Sequence, residues 1–400
     1  MAVIGVVCEY NPFHNGHRLH LDKSRAALGG EAPVICVMSG DFVQRGEAAV
    51  YSKFARAEAA CCCGADLVIE LPLPWALASA EGFARGAVGL LDALGATHLC
   101  FGSETGELAP LERLAQTLLD PGLMAEIKSL LAVDGSLSFA TAREQAARER
   151  LGDLAALLRQ PNNILGVEYC KAIYDLRLRI EPLPVLREGA AHDGESEGAE
   201  PRSASQLRQR LHAGKGLEGL VPAEAEAVFS REREHGREMA DRGSLEMASL
   251  SRLRMLSEAE FRALPDAGDG LGNRLCRAVQ QESSLDAILA AAKTKRYALS
   301  RLRRMCLCAC LGIRAGDREE IPPYARVLAA NARGRELLHQ LSGKASVPVL
   351  TKPASVRELS RDSQELFELG SKAHDFYVLG YPSASQRRPG ADWRTGPAIL

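Results

Sequence analysis

With 400 residues, 46% of them apolar and 25% charged, the chain has material for two or three soluble domains, each with its own core. Its 49 basic and 51 acidic side chains exclude a strongly basic or acidic protein, so any nucleic-acid surface must be a local patch. No apolar run reaches membrane-spanning length and no signal-type segment opens the chain, so a cytoplasmic protein with no membrane partner is expected.

The first strand is read at Val3–Val7, an apolar run broken by Asn11 and Pro12. His14-Asn15-Gly16-His17 follows, and a helical pattern begins near Arg18. Backbone N–H groups at a helix N-terminus attract anions, Gly16 permits close approach, and two histidines can add donors. A turn whose histidines bond only the local backbone is the alternative. The whole cluster, directly after a buried strand, favours a phosphate site.

A second strand is expected at 33–39, ending in the glycine-framed loop Gly40-Asp41-Phe42-Val43-Gln44-Arg45-Gly46-Glu47. Lys53, Arg56 and Glu58 fall on a helix reaching Cys63, where Cys61-Cys62-Cys63 fills a small-residue face. The 11 cysteines suit a reducing compartment; neither this run nor Cys306, Cys308 and Cys310 has the paired spacing that zinc prefers, and no metal site is expected. Asp66–Pro72 is a third strand, Ser79–Leu94 a helix, and His98–Glu104 a fourth strand. Strands alternating with helices predict an α/β fold, a Rossmann-like doubly wound parallel sheet. Ligands in such sheets bind beyond the carboxyl ends of the strands, here the Tyr10–His17, Ser39–Gly46 and Gly102–Glu104 loops.

Residues 111–159 read as charged helices, and Pro161-Asn162-Asn163 as the start of another. Arg179–Gly189 suggests a strand ending at Arg187, and residues 189–202 a mobile, exposed loop. Ser203-Ala204-Ser205-Gln206-Leu207-Arg208 suits either a helix cap or a polyphosphate clamp. Beyond residue 220 the pattern turns helical, near 222–233, 245–264 and 273–313. The densest basic patch is Lys293, Lys295, Arg296, Tyr297 and Arg301, with Arg303 and Arg304; a solvated helix face and a nucleic-acid surface fit it equally. The domains are therefore expected at 1–220 (α/β, carrying the phosphate site) and 221–384 (α-rich), with a disordered tail at 385–400.

Taken together, CEYNPFHNGHRLH, MSGDFVQRGE, DLVIELP, FGSE, PNNILGVEY, SASQLR and KTKRY resemble the bacterial tRNA(Met) cytidine acetate ligases of the HxGH nucleotidyltransferase-like superfamily. The resemblance spans Cys8 to Tyr297. It implies an ATP-dependent ligase that adenylates acetate and acetylates N4 of the wobble cytidine of elongator tRNA(Met). By the same resemblance Val7, Cys8, Glu9, Tyr10, Asn11, Pro12, Phe13, His14, Asn15, Gly16, His17, Arg18, Leu19 and His20 form an ATP loop. Gly102, Asn162 and Arg187 match further nucleotide positions, and Ser205 and Arg208 a signature of related transferases. His14 and His17, with Asp41 and Arg45 nearer the reacting base, are the candidate catalytic residues. Lys293, Lys295, Arg296, Tyr297 and Arg301 are the candidate tRNA contacts, and Mg2+ is expected with ATP. A small-molecule adenylyltransferase of the same superfamily is the alternative.

Overall fold

The computed structural model describes residues 2–187, 203–239 and 243–400; the loop expected to be mobile at 189–202 lies outside them. Ten strands are present among the described residues: β1 (Ile4–Cys8), β2 (Val34–Ser39), β3 (Phe42–Val43), β4 (Glu47–Ala48), β5 (Leu67–Leu71), β6 (His98–Ser103), β7 (Glu181–Leu186), β8 (Ala325–Ala330), β9 (Val349–Leu350) and β10 (Ala398–Ile399). The helices of the first half are α1 (Asn15–Ala27), α2 (Lys53–Cys62), α3 (Leu73–Ala76), α4 (Ala80–Ala93), α5 (Leu108–Leu119), α6 (Pro121–Val133), α7 (Phe139–Leu151) and α8 (Pro161–Asp175). Those of the second half are α9 (Ala204–His212), α10 (Ala223–Glu234), α11 (Glu246–Arg254), α12 (Glu258–Arg262), α13 (Leu271–Gln281), α14 (Leu285–Ala292), α15 (Leu299–Leu311), α16 (Ala332–Leu341), α17 (Arg361–Tyr377) and α18 (Ala391–Arg394).

The main sheet runs in the order β10-β8-β5-β2-β1-β6-β7, with β9 paired to β8. Among β1, β2, β5, β6 and β7 the pairings are all parallel, and the apolar runs of the first four are buried on both faces, while β7 is a half-exposed edge. Val3, Ile35, Val37, Ile69, Leu99 and Phe101 enter one core, with α4 and α8 over it. Their neighbours in sequence, Ile4, Val34, Cys36, Val68 and Cys100, enter the other. The chain moves from β1 to β2 and β5 on one side, then crosses to β6 and β7 on the other. The crevice at this reversal lies between the carboxyl ends of β1 and β6, where such sheets take their ligands.

Two expectations about the second half need correction. The boundary at residue 220 does not separate sheet from helices: β8 returns to the sheet antiparallel to β5, and β9 and β10 pair with it. Likewise Phe229 of α10 stacks on Tyr51 at 4.4 Å, inside the core beneath the sheet. Nor are residues 385–400 disordered. They form α18 and β10, and Asp392 is fully buried among cations. The helices from α11 to α15, with α17, do build a core of their own around Leu253, Phe261, Leu275 and Leu302. All 11 cysteines are free thiols, and Cys61 of α2 and Cys306, Cys308 and Cys310 of α15 are packing residues whose thiols burial pushes up. No helix among the described residues is long and apolar enough to cross a membrane.

Candidate active site

The site grows from the turn between β1 and α1. His14 is the N-cap of α1: its Nδ1 accepts from Gly16 N at 3.0 Å, while His17 Nδ1 accepts from His14 N at 3.3 Å. The two rings stack with centroids 3.7 Å apart. The local-backbone reading thus holds for the two Nδ1 atoms. A ring nitrogen that accepts from a backbone N–H carries no hydrogen, so in each ring the hydrogen sits on Nε2, free to be donated. Burial pushes His14 down to about 4, with the Arg187 charge adding to it. His17 is pushed well below its ordinary value by burial and then by His14, His20 and Arg187. At neutral pH the pair is uncharged and presents two Nε2–H donors at a helix N-terminus.

The loop that carries them is held from several sides. Tyr10 takes a left-handed conformation (φ 46°) and packs edge-on against Phe13 at 4.8 Å. The Asn11–Pro12 peptide is cis. Asn11 Oδ1 accepts from Val50 N at 2.9 Å, and its carbonyl accepts from Arg208 Nη1 at 2.8 Å. Arg208 also donates to Ser205 Oγ at 3.2 Å, whereas Ser203 and Gln206 form the capping box of α9. The capping residues and the Ser205–Arg208 pair are thus distinct, and Arg208 reaches the turn between β1 and α1.

The opposite wall comes from β6, α8 and β7. Glu104 caps α8 from across the crevice: one oxygen accepts from Asn162 N and Nδ2, the other from Asn163 N at 2.8 Å. Buried Asn163 turns its Oδ1 to Ser103 Oγ (2.7 Å) and Glu104 N (3.0 Å). Asn162 Oδ1 takes Arg187 Nη1 at 3.3 Å. Gly102 lies under the Arg187 stem, where an added Cβ would stand 3.1 Å from Cγ, so a larger residue would displace the guanidinium. Gly102, Asn162 and Arg187, distant in sequence, meet here.

The family comparisons follow this geometry. A family model described as HIGH Nucleotidyl Transferase matches residues 1–392. A tRNA(Met) cytidine acetate ligase of Acetivibrio thermocellus is 33% identical with 100% of both chains covered, and one of Syntrophomonas wolfei is 34% identical with 99% of both covered. The chain belongs to this ligase family. Among solved structures, Thermotoga maritima TmcAL bound with alpha-thio ATP shares 31% identity and a TM-score of 0.92 over 100% of both chains. Its apo form gives 32% and 0.94, again over 100% of both.

Against that family background, the residues expected nearer the reacting base divide. Arg45 is exposed, and Glu9 bonds Gln44 N at 2.8 Å, joining the loops after β1 and β2. Burial raises the Glu9 carboxyl, against the pull of Gln44 and the Arg45 charge. Asp41 faces inward instead, a correction to its expected place: its carboxylate takes Lys53 N and His374 Nδ1, each at 2.8 Å, within the protein. A catalytic group aimed at substrate cannot have both oxygens committed to buried partners.

The basic patch is likewise mixed. Lys293 and Lys295 are exposed, while Arg296 pairs with Asp269 at 2.9 Å and Arg301 donates to Asp266 O at 2.6 Å. Tyr297 is only 7% exposed and lies beneath the guanidinium groups of Arg296 and Arg301, so its expected place as a direct tRNA contact is corrected to that of a support for them. The patch is fixed to the Asp41–Glu47 loop. Arg303 pairs with Glu47 at 2.5 Å, and Arg304 donates to Gln44 O at 3.3 Å.

Arg56 was placed on a helix in the sequence but not in the site. Fully buried, it donates to the carbonyls of Tyr51 (2.9 Å), Ser39 (3.1 Å), Gly40 and Glu9, tying the ends of β1 and β2 together. An arginine in the Ala-rich run Lys53–Cys62, where one face must be buried, was the available signal.

Proposed function

We propose that the chain is an ATP-dependent acetate ligase that forms N4-acetylcytidine at the wobble position of elongator tRNA(Met). What carries this reading is the pair of neutral Nε2–H donors at the α1 N-terminus, within reach of the Arg187 charge, in a chain matched end to end by ligases of that name.

Acetate attacking the α-phosphorus of ATP must approach a polyanion, so the site has to neutralise phosphate charge. His14, His17, Arg187, Arg208 and the positive end of the α1 dipole supply this neutralisation without any proton changing hands. A bond forms between an acetate oxygen and phosphorus, the α–β bridge breaks, and pyrophosphate leaves with the electron pair. Preorganised donors of this type are each worth about 3–4 kcal/mol in other enzymes. The expected Mg2+ finds no ready-made cage: no cluster of three His, Cys, Asp or Glu side chains able to hold a metal exists among the described residues. Any Mg2+ would therefore arrive with the nucleotide and would supply positive charge to its phosphates. In the second step the cytidine N4 attacks the acetyl carbonyl, the bond to AMP oxygen breaks, and N4 loses a proton. Lys293, Lys295, Arg296 and Arg301 are assigned to the tRNA backbone, with Arg45 and Gln44 beside the reacting base.

Radiolabelled acetate with ATP and tRNA tests the reading. Label in tRNA, with AMP and pyrophosphate formed in equal amount, is the expected result; AMP transfer to a small phosphate ester without acetate overturns it in favour of a small-molecule adenylyltransferase.

A further inference from the structure

A cleft of ≈ 830 Å3 opens between α13, the 294–297 loop and the turn that joins α6 to α7. Arg274, Arg277, Lys295 and Arg296 line it, and Asp269 is its one carboxylate. Asp269 is already taken by Arg296, and the neighbouring Asp134 by the backbone N–H of Ser136 at 2.8 Å. Four cations against Asp269 and the neighbouring Asp134 leave the cleft net positive in a chain of net charge -2.

Its two α13 arginines stand three residues apart, on one helix face, where like charges repel. Neither has an ion-pair partner among the described residues. Arg274 is nonetheless held in place: Nε donates to Ala292 O at 2.7 Å and Nη2 to Ala291 O at 2.9 Å, leaving Nη1 for a ligand. Arg277 is exposed. On the facing wall Gly135 and Ser136 bring small residues to the surface, and Val133 and Phe139 beside them are 87% and 45% exposed. Repeated cations on one wall, small residues on the other and apolar surface at the rim fit an extended polyanion with attached bases. A cleft of this size exceeds what a single phosphate needs.

Resting on the ligase reading above, we infer that this cleft grips a stretch of the tRNA sugar-phosphate backbone, with Arg274 and Arg277 as phosphate contacts and the Ser136 turn as the opposing wall. The 294–297 loop runs directly into α15, whose Arg303 and Arg304 hold the Asp41–Glu47 loop. A backbone seated in the cleft is thus continuous with the route to the crevice. The helices α6 and α7, within the nucleotidyltransferase-like half, become part of the RNA site.

The test uses the full chain and three variants: Arg277→Glu, which breaks no hydrogen bond or ion pair among the described residues, Arg274→Glu with Arg277→Glu, and Ser136→Glu. Three quantities are measured: acetate-dependent ATP–pyrophosphate exchange without tRNA, tRNA affinity across a salt series, and acetyl transfer to tRNA. Exchange should stay within about twofold, while the tRNA Kd rises about tenfold for Arg277→Glu and further for the pair. The slope of log Kd against log salt should fall by about one for each arginine lost. Ser136→Glu should weaken tRNA in the same way from the other wall. Unchanged Kd and slope in Arg277→Glu would overturn the cleft assignment. If the unmodified chain shows neither acetate-dependent exchange nor tRNA binding, it is the ligase reading that falls. A phosphopeptide or anionic vesicle that competes with tRNA only in chains with both arginines intact would also overturn the RNA assignment.

Discussion

His374 Nδ1 lies 2.8 Å from Asp41 Oδ2, joining the loop after β2 to a helix 333 residues further along the chain. Both groups are buried. Burial opposes ionisation of Asp41, yet His374 and Lys53 outweigh it and hold the carboxyl well below the usual range. Burial likewise pulls His374 down, and Asp41 overcomes this and raises it. The pair is therefore ionic at neutral pH. His374→Ala leaves Asp41 charged and half-satisfied, a loss of about 3–5 kcal/mol for a buried pair. Denaturant unfolding at pH 7 measures this; a loss below about 1 kcal/mol would show that the pair does not hold the loop.

Asp392 plays the same part for two cations. It accepts from Lys53 at 2.8 Å and Arg326 at 2.5 Å, leaving those two with Glu70 if it is removed. Asp392→Ala, or truncation after residue 390, should destabilise the chain by more than about 3 kcal/mol. Asp392→Asn, which keeps the side-chain volume and one acceptor oxygen, should cost less than Asp392→Ala. Equal melting temperatures for the truncated and full chains would contradict this.

These two networks mark where the sequence could be read and where it could not. β1, β2, β5 and β6 are short apolar runs bounded by turn residues, so their pattern was legible within each segment. His14 to His17 was legible for the same reason: its geometry is set by three neighbours. β8, AlaArgValLeuAlaAla, is composed largely of helix formers and follows a long helical stretch; only pairing with β5 makes it a strand. The Pro-, Gly- and Arg-rich tail looked unable to bury a core, and it is ordered instead by charge partners on β8 and α2. Asp41 and Tyr297 were found by composition, but their side-chain directions depend on His374 and Arg301, which no local pattern supplies. Glu104 as a cap for α8 is similarly a contact across 58 residues.

Acid should destabilise the free protein through the α1 histidines. His14 and His20 are lowered to about 4 by burial and then by Arg187, and His17 is lowered further. The unfolded chain binds protons at these rings near pH 6.5, whereas the folded chain resists until about 4, so stability falls as pH drops through that interval. His374 has the opposite sign: its contribution is complete below pH 6.5 and is lost only as pH rises through its raised value. It cannot offset the acid loss. His20 Nε2 is buried without a partner, so His20→Gln should flatten the fall between pH 6.5 and 4 in a melting series. An unchanged slope would remove His20 from the acid response.

His17→Ala should slow acetyl-adenylate formation by roughly 100-fold or more, the scale for one preorganised donor. It also leaves the His14 N–H without its ring acceptor, loosening the cap. Acetate-dependent pyrophosphate exchange reports the step directly. Unimpaired exchange would exclude His17 from the adenylation centre.

Gly46 offers a separation of the two half-reactions. Its φ is +77°, and an added Cβ would stand 2.5 Å from Arg304 N and 2.7 Å from Arg303 Cβ. Both backbone conformation and space there require glycine, because the loop rests directly on the helix that follows the basic patch. Gly46→Val must push the Asp41–Glu47 loop off α15, breaking the Arg303–Glu47 pair while leaving the β1–α1 turn in place. Acetyl transfer to tRNA should fall at least tenfold, with pyrophosphate exchange reduced no more than about threefold. Equal losses in both would mean that the loop serves the adenylation step itself, and that its contact with α15 only supports the fold.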